Sequence, residues 1–325
     1  IVDINKQVSK SFLEALKNPH KGKEILQHNG QRLKSATQFH WLVNSLGKEL
    51  FGSATFKGEK IIAENDVFKL THIPAYPETE SQTTALFHCG GFIPFGDKLF
   101  RMVDGYNFYE PFLQRGIPVF TMELKENQGQ IDYDLVTMEF LIDNIEEFSS
   151  VAFNANNKKK MIFEGYCGNG SQGLAYLCAH PKSADSKFDS ATLFVSPVEA
   201  TKCETISQMV QNIPENLFHY YNILPWEFLT GFIPGEITGF GLDLALNTLF
   251  TKSFPGYFYM GWLQPELAEI TSADQLSLKQ RRNLAGTYWV CMDSGKRSPL
   301  PVDVAKYSTK LFQKDLGADG ELPYL

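Results

Sequence analysis

The chain lacks several features that would place it in a familiar class. Its five cysteines (89, 167, 178, 203 and 291) show neither CxxC spacing nor a paired histidine cluster. No disulfide framework or zinc site is therefore expected, and reduced thiols point to a cytoplasmic protein. No apolar run approaches the roughly 18 to 20 residues of a membrane-spanning helix, and residues 1–20 lack a secretory pattern. Basic residues are the minority, with 30 Lys+Arg against 37 Asp+Glu and a formal net charge of −7. The Lys158–Lys160 run reads as solvated loop charge, so nucleic acid is not an expected partner. No repeat of 20 to 50 residues and no low-complexity tract is present. The chain opens on Ile1 and stops at "GELPYL", and a fragment at both ends is expected.

What is present is apolar and patterned. Hydrophobic residues make up 43% of the 325 positions, enough for one large domain or two ordinary ones. Residues 5–50 carry helical spacing (Phe12, Leu13, Leu16, then Leu42, Val43, Leu46) and form a helical lead-in. Residues 56–74 read as a strand pair ended by Pro74. The runs "ALFHC" (85–89), "PVFTMEL" (118–124), "KKMIFEGYC" (159–167) and "ATLFVSP" (191–197) are short and unalternating, as buried parallel strands are. Helices are predicted between them at 104–116, 133–150 and 172–181, with Gly116 and Pro181 as stops. This alternation predicts an α/β doubly wound sheet. From 200 to 290 the rhythm gives way to aromatics, Pro and Gly, read as an inserted cap. The expected division is thus 1–80 (helices and strand pair), 81–200 (core), 201–290 (cap) and 291–325 (return toward the core).

Within "MIFEGYCGNGSQG" (161–173), a strand ending in Gly-Tyr-Cys-Gly runs directly into a helix. A nucleophile elbow has this layout, with flanking glycines relieving the crowding of a strained turn. A cysteine on an apolar strand is by itself more often a core residue. The strand before Cys167, the helix after it and the upstream glycine pair of "FHCGGF" (87–92) together favour a nucleophile. In that reading Cys167 is a thiolate favoured by the helix dipole and a neighbouring His. The Gly168 amide is one oxyanion donor, and the Cys89–Gly90 loop supplies the second. The other four cysteines are expected in the core.

These residues resemble the polyhydroxyalkanoate synthases, whose lipase-like box reads G-x-C-x-G-G. The resemblance is collinear from about residue 57. It takes in "KGEKIIAENDVFKLTHIPAY", "ALFHCGGFIPFGDKLFRMVDGYNFYEPFLQRGIPVFTMEL", "IDYDLVTMEFLIDNIEEF" and the segment "YWVCMDSGKRSPLPVDVAKYSTKLFQKDLGADGEL". It implies an α/β-hydrolase-type fold with Cys167 accepting a 3-hydroxyacyl group from an acyl-CoA and passing it to a growing polyester. It also implies a homodimer formed through the cap, a place in the cytoplasm or at the polymer granule surface, and no metal or dissociable cofactor. The alternatives are a thiol-dependent thioesterase or esterase of the same fold, and a degenerate noncatalytic partner subunit.

The pattern departs from the family in two places. Asn169 stands where the family has the first glycine of its pair, and a side chain there would crowd the turn or reshape the oxyanion region. No histidine follows His219, so the family's acid and base are expected beyond residue 325. Recruiting His219 and Asp303 is the less natural alternative, because His219 lies beside Tyr220 and Tyr221 in the cap. His180 is expected at a helix C-terminus, His88 in the oxyanion loop, and Asp132 and Asp134 as caps of the helix that follows. The aromatic stretch 218–262 is read as cap core or dimer interface before substrate channel.

Overall fold

A computed structural model describes residues 10, 13, 17–80, 82–92, 96–125, 131–198, 211–239, 253–291, 298–313 and 322. Cys203 and the expected helical positions Phe12 and Leu16 lie outside them. The chain forms two compact units, residues 1–51 with 247–292 and residues 52–246 with 293–325.

The larger unit is built on a six-stranded sheet. Its strands are β1 (Lys60–Glu64), β2 (Phe68–Ile73), β3 (Leu86–Cys89), β4 (Val119–Leu124), β5 (Met161–Tyr166) and β6 (Phe188–Phe194), in the order β1-β2-β4-β3-β5-β6. The expected strand pair is the antiparallel β1–β2. β2 joins β4 antiparallel, and β4, β3, β5 and β6 run parallel. β6 begins at Phe188, three residues before the predicted start, because Phe188 pairs with Met161 and fills the core.

Alternation along the strands sorts side chains to two faces. One face presents Phe68, Leu70, Phe87, Cys89, Phe120, Met122, Met161 and Phe163 to the helices Met138–Ala155, Cys167–Ala179 and Val302–Gln313. The other presents Ile73, Leu86 and Val119 to Phe56, Phe100, Tyr109 and Leu113. A mostly parallel sheet, entered by an antiparallel pair and followed after β5 by a sharp strand-to-helix turn, is an α/β-hydrolase fold.

The predicted helix 104–116 shortens to Glu110–Leu113. Asn107 takes the amides of Tyr109 and Glu110 on its side-chain oxygen, a turn that competes with continued helix upstream. At its end Gly116 has φ +77°, and a Cβ there would stand 1.9 Å from the Glu80 carbonyl oxygen. The helix Met138–Ala155 starts later than predicted, at an N-cap where Thr137 Oγ1 accepts the Phe140 amide. Asp132 accepts the Asp134 amide at the 3₁₀ turn Tyr133–Leu135, so neither aspartate caps the long helix. Two further strands, β7 (Phe232–Ile233) and β8 (Leu300–Pro301), pair antiparallel.

The smaller unit is helical, as the lead-in predicts. Helix Pro19–Leu42 packs against Phe254–Trp262, where Gly261 lets the backbones approach: a Cβ there would lie 2.6 Å from Phe39 Cβ and 2.8 Å from Ala36 Cα. Gln38 Nε2 donates to the carbonyls of Leu267 and Ala268 at 3.0 Å each. The aromatic-rich stretch is divided between the units. Tyr257 is buried in the smaller one, while Tyr220, Tyr221 and Phe228 are exposed in the larger.

Candidate active site

β5 delivers the chain to Cys167, which has φ +53° and opens the helix Cys167–Ala179. A non-glycine residue in the left-handed region costs of order 1–2 kcal/mol, and such strain is the mark of an elbow. The strain is held by close packing on both sides. A Cβ on Gly165 would lie 2.6 Å from Gly170 Cα, and one on Gly170 would meet Ser196 Oγ at 1.8 Å and the Gly165 carbonyl at 2.9 Å. Helix and strand therefore touch backbone to backbone through Gly165 and Gly170. One glycine of the family's pair suffices for this contact, and Asn169 does not crowd the turn.

The Cys167 thiol is half-buried. Burial raises its pKa, and a hydrogen bond from the Gly168 backbone amide acts in the opposite direction without reversing the shift. Burial thus works against the expected thiolate, and no histidine is hydrogen-bonded to Cys167 among the described residues. Each histidine of this unit is engaged elsewhere. His72 stacks on Phe120, and His180 sits at the C-terminal cap of the elbow helix against Tyr176. His219 packs edge-on to Tyr220. Asp303 Oδ2 accepts the Met138 amide at 2.8 Å, so its carboxylate serves the N-terminus of the helix Met138–Ala155 and makes no hydrogen bond to His219 among the described residues.

His88 departs furthest from expectation. It lies inside β3, not in the loop after it, and is 0% exposed. Its cross-strand partner is Glu164 of β5, and Nδ1 meets Glu164 Oε2 in a buried pair. Burial disfavours the imidazolium most strongly, but the charge and hydrogen bond of Glu164, together with the Asp97 and Glu123 charges, outweigh it and raise the His88 pKa. Both residues face away from the elbow helix, toward Phe100 and Tyr109. Arg101 extends this polar layer, donating to Glu123 at 2.9 Å and Glu59 at 2.8 Å. Asp97 Oδ2 accepts the Leu124 amide at 2.8 Å. Burial, reinforced by Glu123, pushes the Asp97 carboxyl up to about 7.

The loop expected to supply the second oxyanion donor begins with Cys89, which is buried, its thiol pushed well up by burial. The Gly90 amide donates to the His88 carbonyl at 3.2 Å, and a Cβ on Gly90 would stand 1.9 Å from the Met122 carbonyl. Gly91 has φ +149°, and its amide faces the Asp97 carboxylate. Of the other cysteines, Cys178 is exposed instead of buried, because it falls on the outer side of the elbow helix. Among the described residues no group of three or more His, Cys, Asp or Glu could hold a metal ion, and no helix is long and apolar enough to cross a membrane.

Sequence reasoning missed two features here. The ionic pair had a visible signal: "ALFHC" and "MIFEGY" each carry one ionisable residue, of opposite sign, inside an apolar strand. The second is Asn169, which is 0% exposed while neither Oδ1 nor Nδ2 has a hydrogen-bond partner among the described residues.

No protein-family profile matches the chain, and no curated protein matches it. Solved structures do show likeness. A soluble variant of monoglyceride lipase from Saccharomyces cerevisiae matches at 11% identity and TM-score 0.37, over 53% of this chain and 55% of that one. A putative epoxide hydrolase from Pseudomonas aeruginosa matches at 11% identity and TM-score 0.35, over 82% and 76%. A 2-hydroxy-6-oxo-6-phenylhexa-2,4-dienoate hydrolase from Rhodococcus matches at 14% identity and TM-score 0.31, over 73% of each chain. The chain thus spans about half the length of the lipase. Likeness at this level assigns no role to any residue, and the fold assignment rests on strand order and the elbow.

Proposed function

We propose that the chain is an acyltransferase of the polyhydroxyalkanoate synthase type, in which Cys167 accepts a 3-hydroxyacyl group from an acyl-CoA thioester. One observation carries this reading: a cysteine held at φ +53° between a parallel strand and the helix it opens, with the Gly168 amide beside its sulfur. Cys167 Sγ attacks the thioester carbonyl carbon, the tetrahedral oxyanion collapses, and the carbon–sulfur bond to CoA breaks. The thiol proton ends on the departing CoA sulfur, so the products are an acyl-cysteine and free CoA. The 3-hydroxyl of a further hydroxyacyl group then attacks the acyl-cysteine carbonyl, the carbon–sulfur bond to Cys167 breaks, the hydroxyl proton returns to the thiol, and the polyester is one unit longer.

The raised thiol pKa sets the pH dependence. A protonated thiol is a poor nucleophile, so acylation is expected to rise with pH beyond the ordinary thiol range. The test is intact-mass measurement after incubation with 3-hydroxybutyryl-CoA, followed by peptide mapping. An acyl adduct on Cys167 with a ladder of added hydroxyacyl units supports the polymerase. Release of free acid without a ladder would instead make the protein a thioesterase. A noncatalytic partner subunit is the second reading, favoured by the absence of a histidine bonded to Cys167 among the described residues, and an unmodified Cys167 would establish it.

A further inference from the structure

A tetrahedral oxyanion formed at Cys167 requires two donors in the usual arrangement of this chemistry, and the Gly168 amide is placed to be one. In the loop after β3, the first two glycine amides are turned elsewhere. Its Gly90 amide is turned onto the His88 carbonyl, and its Gly91 amide faces Asp97. Against this loop lies Asn169, the second residue after the nucleophile. Its Oδ1 is 3.4 Å from the point a Cβ on Gly91 would occupy, and Gln172 Oε1 is 3.6 Å from the same point. The φ of +149° at position 91 favours a glycine there.

A fully buried carboxamide with neither end bonded is rare, because each unpaired polar atom forfeits its hydration without return. Two explanations based on structure alone fail. Among the described residues Asn169 makes no side-chain bond that holds the elbow, and a backbone contact that does hold it belongs to Gly165 and Gly170. A half-turn about χ2 exchanges the two ends, so either the donor or the acceptor can be presented to a guest.

We propose that the Asn169 side-chain amide is the second oxyanion donor, hydrogen-bonding through Nδ2 to the carbonyl oxygen of an acyl thioester as Cys167 is acylated. The proposal rests on the reading of Cys167 as the acyl acceptor. It assigns to a side chain the task that the family pattern gives to a loop amide, and it explains why a polar residue replaces the first glycine of the pair. The donor becomes fully bonded only when the substrate oxygen acquires charge, which is the condition for accelerating the chemical step over binding.

The test uses the full chain and 3-hydroxybutyryl-CoA in single-turnover acylation followed by mass, with wild type beside Asn169→Ala and Asn169→Asp. Asn169→Asp keeps the shape, removes the donor and adds a charge that repels an oxyanion. Both variants are expected to acylate roughly 10²- to 10³-fold more slowly. Alkylation of Cys167 by iodoacetamide, which forms no oxyanion, is expected to stay within about twofold, so that an elbow merely distorted by the substitution is recognised by a parallel fall in both rates. Acylation of either variant at the wild-type rate, or equal loss of acylation and alkylation in both, overturns the donor role. If wild type alkylates readily but is never acylated, the reading of Cys167 fails and the donor assignment falls with it. Those outcomes are distinct, because the first two require an acylated wild type.

Discussion

The two faces of the central sheet hold their buried polarity differently. Below the ends of β3, β5 and β4, the face away from the elbow helix carries His88, Glu164, Arg101, Glu123 and Asp97, and most of these charges meet a partner of opposite sign or a backbone amide. On the elbow side Lys187 donates to Ser149, and Tyr176 bonds Ser149 and Glu146, whereas the Asn169 amide meets nothing among the described residues. A buried group that is already bonded has nothing left for a ligand, whereas one that is unbonded lowers stability until a ligand arrives. The difference separates polarity that holds the sheet from polarity available to chemistry.

The largest effect that would break this contrast lies in the ionic face. Replacing Glu164 with Gln leaves the His88 imidazolium without its counter-charge, and a loss of about 3–5 kcal/mol in urea unfolding at pH 6 is expected. The double substitution His88→Leu with Glu164→Leu should recover most of that loss, since an apolar pair of similar size avoids desolvation. Cys167 alkylation in the double variant should be unchanged, which sets this face apart from the elbow.

The pH profile gives the next largest effect. Asp97 has a carboxyl near 7 in the folded chain against 3.8 unfolded, so the folded state binds the extra proton. Stability from this group is therefore greatest below about pH 4 and declines as pH rises to about 7. His88, with its raised pKa, contributes stability that is full below 6.5 and is lost as pH climbs through its folded value, in the same direction. Asp97→Asn keeps an oxygen for the Leu124 amide and carries no charge. It is expected to stabilise the protein by about 2–4 kcal/mol at pH 8 and to flatten the slope between pH 4 and 7, leaving only the His88 part. A slope as steep as wild type would refute the assignment.

On the elbow face, Gly170→Ala inserts a methyl against Ser196 and the Gly165 carbonyl. A loss of about 1–3 kcal/mol is expected, together with slower Cys167 alkylation as the turn is pushed open. The smallest effect should come from Asp303→Ala, about 1 kcal/mol from the lost bond to the Met138 amide. Acylation at the wild-type rate in that variant would exclude Asp303 from the chemistry, and a fall of tenfold or more would return it there.

Much of the fold was legible because buried parallel strands leave a plain trace. "ALFHC", "PVFTMEL" and "KKMIFEGYC" contain β3, β4 and β5 with errors of a residue or two at their ends. The elbow was legible because glycine spacing records where backbones touch, and Gly165 and Gly170 do touch. The helix at 104–116 was overread, since apolar spacing says nothing of the Asn107 side chain that turns the backbone aside. The His88–Glu164 pair depends on which residues of two distant strands share a register, and no single segment contains that information. Whether Gly90 offers its amide outward or to its own chain likewise rests on a turn geometry that many sequences allow.

The Gly165–Gly170 contact holds the elbow closed, and no side-chain hydrogen bond among the described residues ties it to position 169. It is a place where descent can experiment: a single codon there alters what the nucleophile's neighbourhood offers a guest while the scaffold is untouched. Lineages sharing this sheet would be expected to differ in reactivity at that residue before they differ in shape, within side chains near the size of asparagine, since the position is 0% exposed.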